Sequence, residues 1–372
     1  MPHGKIGNKK MFRNFYKNKK ILVTGNTGFK GSWLSAWLLM LGAKVCGFSK
    51  DIPTNPSNFK SIKINNKIKH FVGDVRDLNK LKKVFKNFKP EIVFHLAAQP
   101  LVRKSYTDPL QTFETNVLGT INILECIKDS SFVKAGVMIT SDKAYRNQEW
   151  VWGYRENDLL GGEDPYSASK GCAELVINSY CNSYFKNGPY VASTRAGNVI
   201  GGGDWAEDRI VPDAVKAWIR NKPVVIRQPE STRPWQHVLE PLSGYLLLGK
   251  LLFKQGKNFT GQAYNFGPSN MDDHSVKDVL NCINTYWDNA GWKIKKNHST
   301  AKESVLLKLN CDKALNMLGW HSIFSFEETM KMTASWYKSF YGDENIDMLD
   351  FSFDQIKIYE KKAKKLGLQW SN

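Results

Sequence analysis

The sequence predicts an α/β fold, a doubly wound parallel sheet with a smaller mixed C-terminal substrate lobe. Short apolar runs alternate with helix-like stretches from Lys20 onward, and a glycine-rich turn follows the first run. From Gly201 the alternation gives way to a segment rich in Gly, Pro, Trp and Arg. Strand and helix in alternation imply a parallel sheet with crossover helices, because parallel neighbours need a long connection between them.

The first strand is Ile21-Leu22-Val23, followed by a helix from about Gly31 to Leu41 that stops at Gly42. Val45-Cys46-Gly47-Phe48 is the second strand, and Ile92-Val93-Phe94 comes after another amphipathic helix. Gly136-Val137-Met138-Ile139 and Tyr190-Val191-Ala192-Ser193 read as further buried strands, each preceded by a long helical pattern and followed by polar residues. Ligands of such sheets bind beyond the carboxyl ends of the strands. The expected organisation is a basic, disordered extension over residues 1–18, a dinucleotide-binding domain over 19–200 and a substrate lobe over 201–345. Some segments of that lobe return to the first domain, and residues 346–372 form a C-terminal tail.

With 372 residues, 42% of them hydrophobic, the chain can bury a large core. No run of about 18 apolar residues is present, which argues against a membrane helix. Met1 to Lys20 is basic but lacks the apolar core of a secretory signal, so the expected location is the cytoplasm. Six scattered cysteines without a C-x-x-C pair predict reduced thiols and no metal. The net charge of +18 invites a nucleic-acid reading, yet lysines such as Lys80, Lys82, Lys83, Lys86 and Lys89 are spread along polar faces. They predict a solvated surface and no nucleic-acid partner, with a field that favours a small anionic substrate.

The turn Gly25-Asn26-Thr27-Gly28-Phe29-Lys30-Gly31 lies between an apolar strand and a helix, the context in which glycines let the backbone approach a pyrophosphate at a helix N-terminus. This makes the predicted sheet Rossmann-type. The second strand ends in Phe48-Ser49-Lys50-Asp51. Asp51 there could bind an adenosine ribose, while Lys50 could welcome a 2′-phosphate, so NAD and NADP both stay open on these residues. Asp74 is placed to accept from an adenine amino group or to cap the next helix.

Tyr166-Ser167-Ala168-Ser169-Lys170 follows Asp164-Pro165, a cap and first-turn proline. Residues four apart share a helix face, so the Lys170 ammonium can sit beside the Tyr166 phenol and lower its pKa for removal of a hydroxyl proton. Upstream, Thr140-Ser141-Asp142-Lys143 offers a hydroxyl, a carboxyl and an amine at a strand end. Oxidation needs only hydroxyl, tyrosine and lysine, whereas eliminating water also needs an acid, and Asp142 is the candidate.

Gly25 to Leu34 (GNTGFKGSWL), Ser141-Asp142-Lys143, Gly161 to Lys170 (GGEDPYSASK), Arg195 to Asp213 (RAGNVIGGGDWAEDRIVPD) and Arg233 to Tyr245 (RPWQHVLEPLSGY) resemble the CDP-glucose 4,6-dehydratases, which are extended short-chain dehydrogenase/reductases. The likeness runs from about Lys20 to Tyr337. It implies NAD as cofactor, CDP-glucose as substrate, and a redox cycle of C4 oxidation, loss of water across C5 and C6, and hydride return to C6. Ser141, Asp142, Lys143, Tyr166 and Lys170 would be catalytic. Gly25 to Gly31, Ser49, Asp74, Val75, Leu96, Ala97 and Ala98 would line the cofactor with Tyr166 and Lys170. Gln99, Asn198, Arg209 and Arg233 would hold the nucleotide-sugar, arginine suiting a diphosphate because its fork donates two parallel hydrogen bonds. The similar dTDP-glucose dehydratases carry Asp-Glu where this chain has Asp142-Lys143, so whether Lys143 or another group moves the C5 proton stays open. The resemblance also implies a homodimer through Thr115–Cys126 and Tyr166–Phe185, and a role in deoxysugar synthesis for surface glycans such as lipopolysaccharide O-antigen. An epimerase or another nucleotide-sugar dehydratase would share Tyr166 and Lys170; a catalytically silent nucleotide-sensing relative would not need them.

Overall fold

The computed structural model describes residues 11–268, 274–287, 291–294 and 306–371. After a short helix, α1 (Met11–Phe15), the chain forms β1 (Lys20–Thr24), α2 (Phe29–Met40), β2 (Lys44–Ser49), β3 (Lys69–Val72), α3 (Leu78–Phe88), β4 (Ile92–His95), α4 (Gly119–Lys128), β5 (Ala135–Ile139), α5 (Pro165–Tyr184) and β6 (Tyr190–Ala196). The sheet has seven parallel strands; its seventh, β7, is Ala263–Phe266, reached through α6 (Leu239–Gln255).

The strand order is β7-β6-β5-β4-β1-β2-β3. The chain steps outward from β1 to β3, then crosses back to β4 on the other side of β1, with Thr24 in register with both Phe48 and His95. That reversal opens a crevice beyond the carboxyl ends of β1 and β4. The strands read as continuous apolar runs because helices cover both faces: β4 and β5 are buried at every residue. One core gathers Trp33, Trp37 and Leu246 on one face of the sheet. The other gathers Leu81, Ile123, Ile127 and Ile177 from α3, α4 and α5.

Both termini differ from expectation. Within the described residues the extension over residues 1–18 is ordered from Met11: Phe12, Phe15 and Tyr16 are buried, Phe12 stacks on Trp370 at 5.2 Å, and the Tyr16 hydroxyl donates to the Leu246 carbonyl. The first ten residues lie outside the described residues. The tail over 346–372 is likewise part of the core. It follows α7 (Phe326–Gly342) and forms α8 (Met348–Lys365), whose Tyr359 packs on Trp37 at 5.7 Å while the Trp37 indole donates to Glu360 at 3.0 Å. Aromatic residues at helical spacing bury both ends, an apolar signal that overrides the basic charge around it.

Among the described residues the C-terminal lobe contains three small strand pairs: Val199–Ile200 with Gln236–His237, Thr232–Arg233 with His274–Ser275, and Val224–Ile226 with Trp292–Ile294. Among the described residues no helix is long and apolar enough to cross a membrane, and all six cysteines are free of disulfides.

Candidate active site

The glycine turn is built against the crevice. Gly25 has φ +72°, and a Cβ there would lie 2.7 Å from the Ala97 backbone nitrogen, so only glycine lets the ends of β1 and β4 abut. A Cβ on Gly31 would lie 2.1 Å from the Gly25 carbonyl oxygen, which keeps the first turn of α2 pressed on the loop. Asn26 and Thr27 are buried and serve the turn itself. The Ser49 hydroxyl donates to Asn26 Oδ1 at 2.7 Å, and the Thr27 hydroxyl donates to the Asp51 carbonyl at 2.7 Å. Gly28 precedes the helix with extended backbone, φ −75° and ψ 169°, and its carbonyl accepts from Ser32. Gly28 offers no side-chain cap, which leaves the first N–H groups of α2 for a ligand such as the pyrophosphate of a dinucleotide.

Around this turn, Asp74 is gripped by Arg76 through three hydrogen bonds of 2.9–3.1 Å and pairs with Lys50 at 3.6 Å. Burial raises its pKa, but those Arg76 bonds outweigh it and hold the carboxyl below its usual range. The following helix is capped by Asp77 instead, whose side chain accepts from the Lys80 N–H. Val75 is buried beneath Gly119, and Leu96, Ala97 and Ala98 line the end of β4, where the Thr24 hydroxyl accepts from the Ala97 N–H. Gln99, a candidate substrate ligand, lies on the loop that follows β4. Its amide is used within its own loop, donating to the Leu101 carbonyl and the Thr112 hydroxyl and accepting from the Leu101 N–H.

The candidate catalytic groups lie at the end of β5 and on α5. Ser141 caps the 3₁₀ turn Asp142–Ala144 by accepting from the Lys143 N–H, and its hydroxyl donates to Asp142 Oδ1 at 3.0 Å. Asp142 is 4% exposed, and its Oδ2 has no hydrogen-bond partner among the described residues. Burial lifts this carboxyl above its usual range, opposed by Lys143, Ser141 and Arg233. The opening beside Oδ2 depends on Gly197, where a Cβ would sit 3.3 Å from Oδ2 and 2.7 Å from the Pro234 ring. A carboxyl whose burial favours the protonated form, with one oxygen open, is suited to give a proton to a leaving oxygen.

Asp164 caps α5 by accepting from the Ser167 N–H, with Pro165 in the first turn, as the sequence implied. Tyr166 and Lys170 share a face, the ammonium 6.0 Å from the ring centre. The expected lowering of the phenol pKa by Lys170 is not found. Burial pushes Tyr166 up to about 12 against the pull of Ser141 and Arg209, and burial together with Lys30 pushes Lys170 down to about 7. Lys30 itself falls to about 8 through burial and Arg209. Three basic groups therefore crowd one buried pocket, and of them Arg209 draws the Tyr166 phenol toward its ionised form against the burial that raises it.

The C-terminal lobe delivers the arginines. Arg209 precedes the helix Ile210–Trp218 and is held by Asp204 at 2.7 Å, which raises its pKa. Arg233 donates to the Thr232 carbonyl at 2.7 Å and lies near enough to act on Asp142. Asn198 follows Gly197, its carbonyl accepting from the Gln236 N–H at 3.1 Å. These residues lie far apart in the chain and are brought to one crevice by the pairing of Val199–Ile200 with Gln236–His237.

Sequence reasoning missed several groups. Glu174, four residues after Lys170, is buried in an ion pair with Arg195; its helical spacing from Lys170 was the available signal. His95 is buried between the Thr24 and Thr120 hydroxyls, and burial and Lys170 hold it neutral, at about 3. Asp204, the anchor of Arg209, was visible only as part of a longer motif. Among the described residues no group of metal-ligating side chains is gathered.

The family model described as GDP-mannose 4,6 dehydratase matches residues 22–333. The chain is 49% identical over 355 residues to the CDP-glucose 4,6-dehydratase of Salmonella typhimurium, covering 93% of this chain and 98% of that protein. It is 25% identical to the dTDP-glucose 4,6-dehydratase of Haemophilus influenzae, covering 85% and 97%. Among solved structures, an epimerase from Methanothermobacter thermautotrophicus superposes with a TM-score of 0.77 at 26% identity, covering 88% of this chain and 94% of that one. The dTDP-glucose 4,6-dehydratase of Bacillus anthracis in complex with NAD shares the fold at a TM-score of 0.72 and 23% identity, covering 89% and 99%. The chain belongs to the GDP-mannose 4,6 dehydratase family, within the NAD-dependent epimerases and dehydratases.

Proposed function

We propose that this protein converts CDP-D-glucose to CDP-4-keto-6-deoxy-D-glucose and water, with NAD held in the crevice between β1 and β4. The observation that carries the reading is a buried, raised-pKa Asp142 hydrogen-bonded to Ser141 beside Tyr166 and Lys170, in a chain 49% identical to a CDP-glucose 4,6-dehydratase. Gly25 to Gly31, Ser49, Asp74, Val75, Leu96, Ala97 and Ala98 would hold the cofactor. The chemistry that bound NAD supplies is reversible hydride transfer, from C4 in the oxidation and to C6 at the end.

The protein's own groups do the rest. Tyr166 removes the C4 hydroxyl proton, with Ser141 orienting that oxygen and the positive charge of Lys30, Lys170 and Arg209 stabilising the phenolate. The resulting 4-ketone acidifies the C5 proton. Asp142 then protonates the C6 hydroxyl as it departs, the electron pair of the broken C5–H bond forms the C5=C6 double bond, and a proton returns to C5 when hydride is delivered to C6. Lys143 stands next to Asp142 on the turn that carries the acid, and it either takes the C5 proton or stabilises the enolate. Asn198, Arg209 and Arg233 would hold the nucleoside diphosphate through charge-assisted hydrogen bonds. We also propose a homodimer through Thr115–Cys126 and Tyr166–Phe185, where Leu118, Leu175 and Tyr184 are exposed at 42%, 60% and 56%.

The test is incubation of the purified protein with CDP-, dTDP-, UDP- and GDP-glucose, following alkali-induced 4-ketosugar absorbance and product mass. Loss of one water from CDP-glucose alone supports the reading. An altered sugar of unchanged mass would point to an epimerase, and no turnover of any of the four would overturn the reading.

A further inference from the structure

Tyr166, Lys170 and Glu174 recur every four residues on α5 and so lie on one face of the helix. The first two belong to the reaction described above; the third does not touch the crevice. Glu174 is 4% exposed, and its carboxylate is fully engaged. Oε1 accepts from the Thr140 hydroxyl, while Oε2 accepts from the Ser193 hydroxyl at 2.7 Å and pairs with Arg195 at 2.9 Å. Thr140 is the residue immediately before Ser141, and Ser193 and Arg195 lie on β6. One buried carboxylate thus ties the catalytic helix to the ends of the two strands that aim Ser141 and Asp142.

The partner is fixed in turn. Arg195 donates to the Glu156 carbonyl at 3.0 Å, and its guanidinium lies 4.7 Å from the Tyr145 ring centre, just beyond the Asp142–Ala144 turn. Tyr145 is anchored by its hydroxyl donating to Asn265 at 2.8 Å. The pair therefore grips both ends of the catalytic segment, through Thr140 on one side and Tyr145 on the other.

Charge adds a second role. Lys170 faces Lys30 from the glycine turn, His95 from β4 and Glu174 from its own helix, and Arg195 and Lys313 lie beyond Glu174. Of these Glu174 is the anion that favours the charged ammonium, while burial and Lys30 oppose it.

We propose that Glu174, with Arg195, is a positioning residue of the dehydratase reaction: it sets the Thr140–Lys143 segment against α5 and supplies the buried negative charge that faces the Lys170 ammonium. This rests on the dehydration of CDP-glucose proposed above.

The experiment compares the pH dependence of kcat for the purified holoenzyme and three variants, with CDP-glucose as substrate. Glu174→Gln keeps the shape and removes the charge. Ser193→Ala removes one hydrogen bond to Glu174 and keeps the charge. The pair Glu174→Gln with Arg195→Met removes both charges and leaves no unpaired buried ion, so it carries the test if the single Gln variant does not fold. Without the facing anion, Lys170 loses its proton at lower pH. The alkaline limb of kcat is expected to move down by at least about half a pH unit in both Glu174 variants, with kcat at pH 8 reduced about threefold or more and KM changed less than about threefold. Ser193→Ala is expected to keep the parent limb. Glu174 variants with the parent profile, or the same loss in all three variants without a moved limb, overturn the proposal. If the parent protein itself does not turn over CDP-glucose, the functional reading fails first, and the two failures are distinguished.

Discussion

Replacing Asp142 by Asn separates the two halves of the proposed reaction. The substitution is nearly isosteric, and Oδ1 can still accept from Ser141, because the hydrogen bond there involves only that oxygen. The atom exchanged is Oδ2, the oxygen without a hydrogen-bond partner among the described residues, so the Ser141 hydrogen bond survives while the attraction of Lys143 and Arg233 and the acid itself are lost. Removal of a general acid typically costs 10²- to 10⁴-fold, or about 3–5 kcal/mol of transition-state stabilisation. That loss should fall on elimination, while C4 oxidation by Tyr166 continues. Stopped-flow absorbance of the reduced cofactor on mixing with CDP-glucose is the assay. Asp142→Asn is expected to accumulate reduced cofactor and to release 4-keto-6-deoxy product at least about a hundredfold more slowly than the parent. A variant that forms product within tenfold of the parent, or that fails at oxidation instead, would refute the assignment of Asp142 as the acid.

Three further outcomes are expected. Gly31→Ala places a methyl 2.1 Å from the Gly25 carbonyl oxygen, and NAD retained through gel filtration should fall about tenfold or more; undiminished retention would mean that the turn does not hold the dinucleotide. Glu240 is buried against the Ile323 and Phe324 N–H groups and the Tyr359 hydroxyl, and burial lifts its carboxyl from 4.5 to about 7. A raised folded-state value contributes stability that is complete below pH 4.5 and is lost as pH rises through 7, about 3 kcal/mol in all at 1.36 kcal/mol per pH unit; Glu240→Gln should abolish most of this difference between urea melts at pH 5 and pH 8, and an unchanged difference would contradict it. Leu175→Glu on the exposed face of α5 should yield a monomer by light scattering, and a parent that is itself monomeric would dismiss the dimer.

Most of the fold was legible because parallel strands buried on both faces leave uninterrupted apolar runs, and the glycine turn between β1 and α2 marks where the sheet reverses. Tyr166, Lys170, Ser141 and Asp142 were legible because helix periodicity and strand ends place them without reference to the rest of the chain. The errors have physical causes. Phe12, Tyr16 and Tyr359 are core residues embedded in lysine-rich sequence, so charge masked their periodicity at both termini. The Lys170–Tyr166 interaction was read as a simple pair, whereas the pocket adds Lys30 and Arg209 from distant segments, and burial outweighs each single charge. Glu174 and Arg195 are 21 residues apart in sequence, and a single chain gives no sign that they meet.

The measurement that bears most directly on the central claim follows deuterium placed at C4 of CDP-glucose. The account predicts a product lighter by one water that carries the label in its C6 methyl group, because the hydride leaves C4 and returns to C6 within one active site. Label washed out to solvent, or retained at C4 in a sugar of unchanged mass, would contradict it.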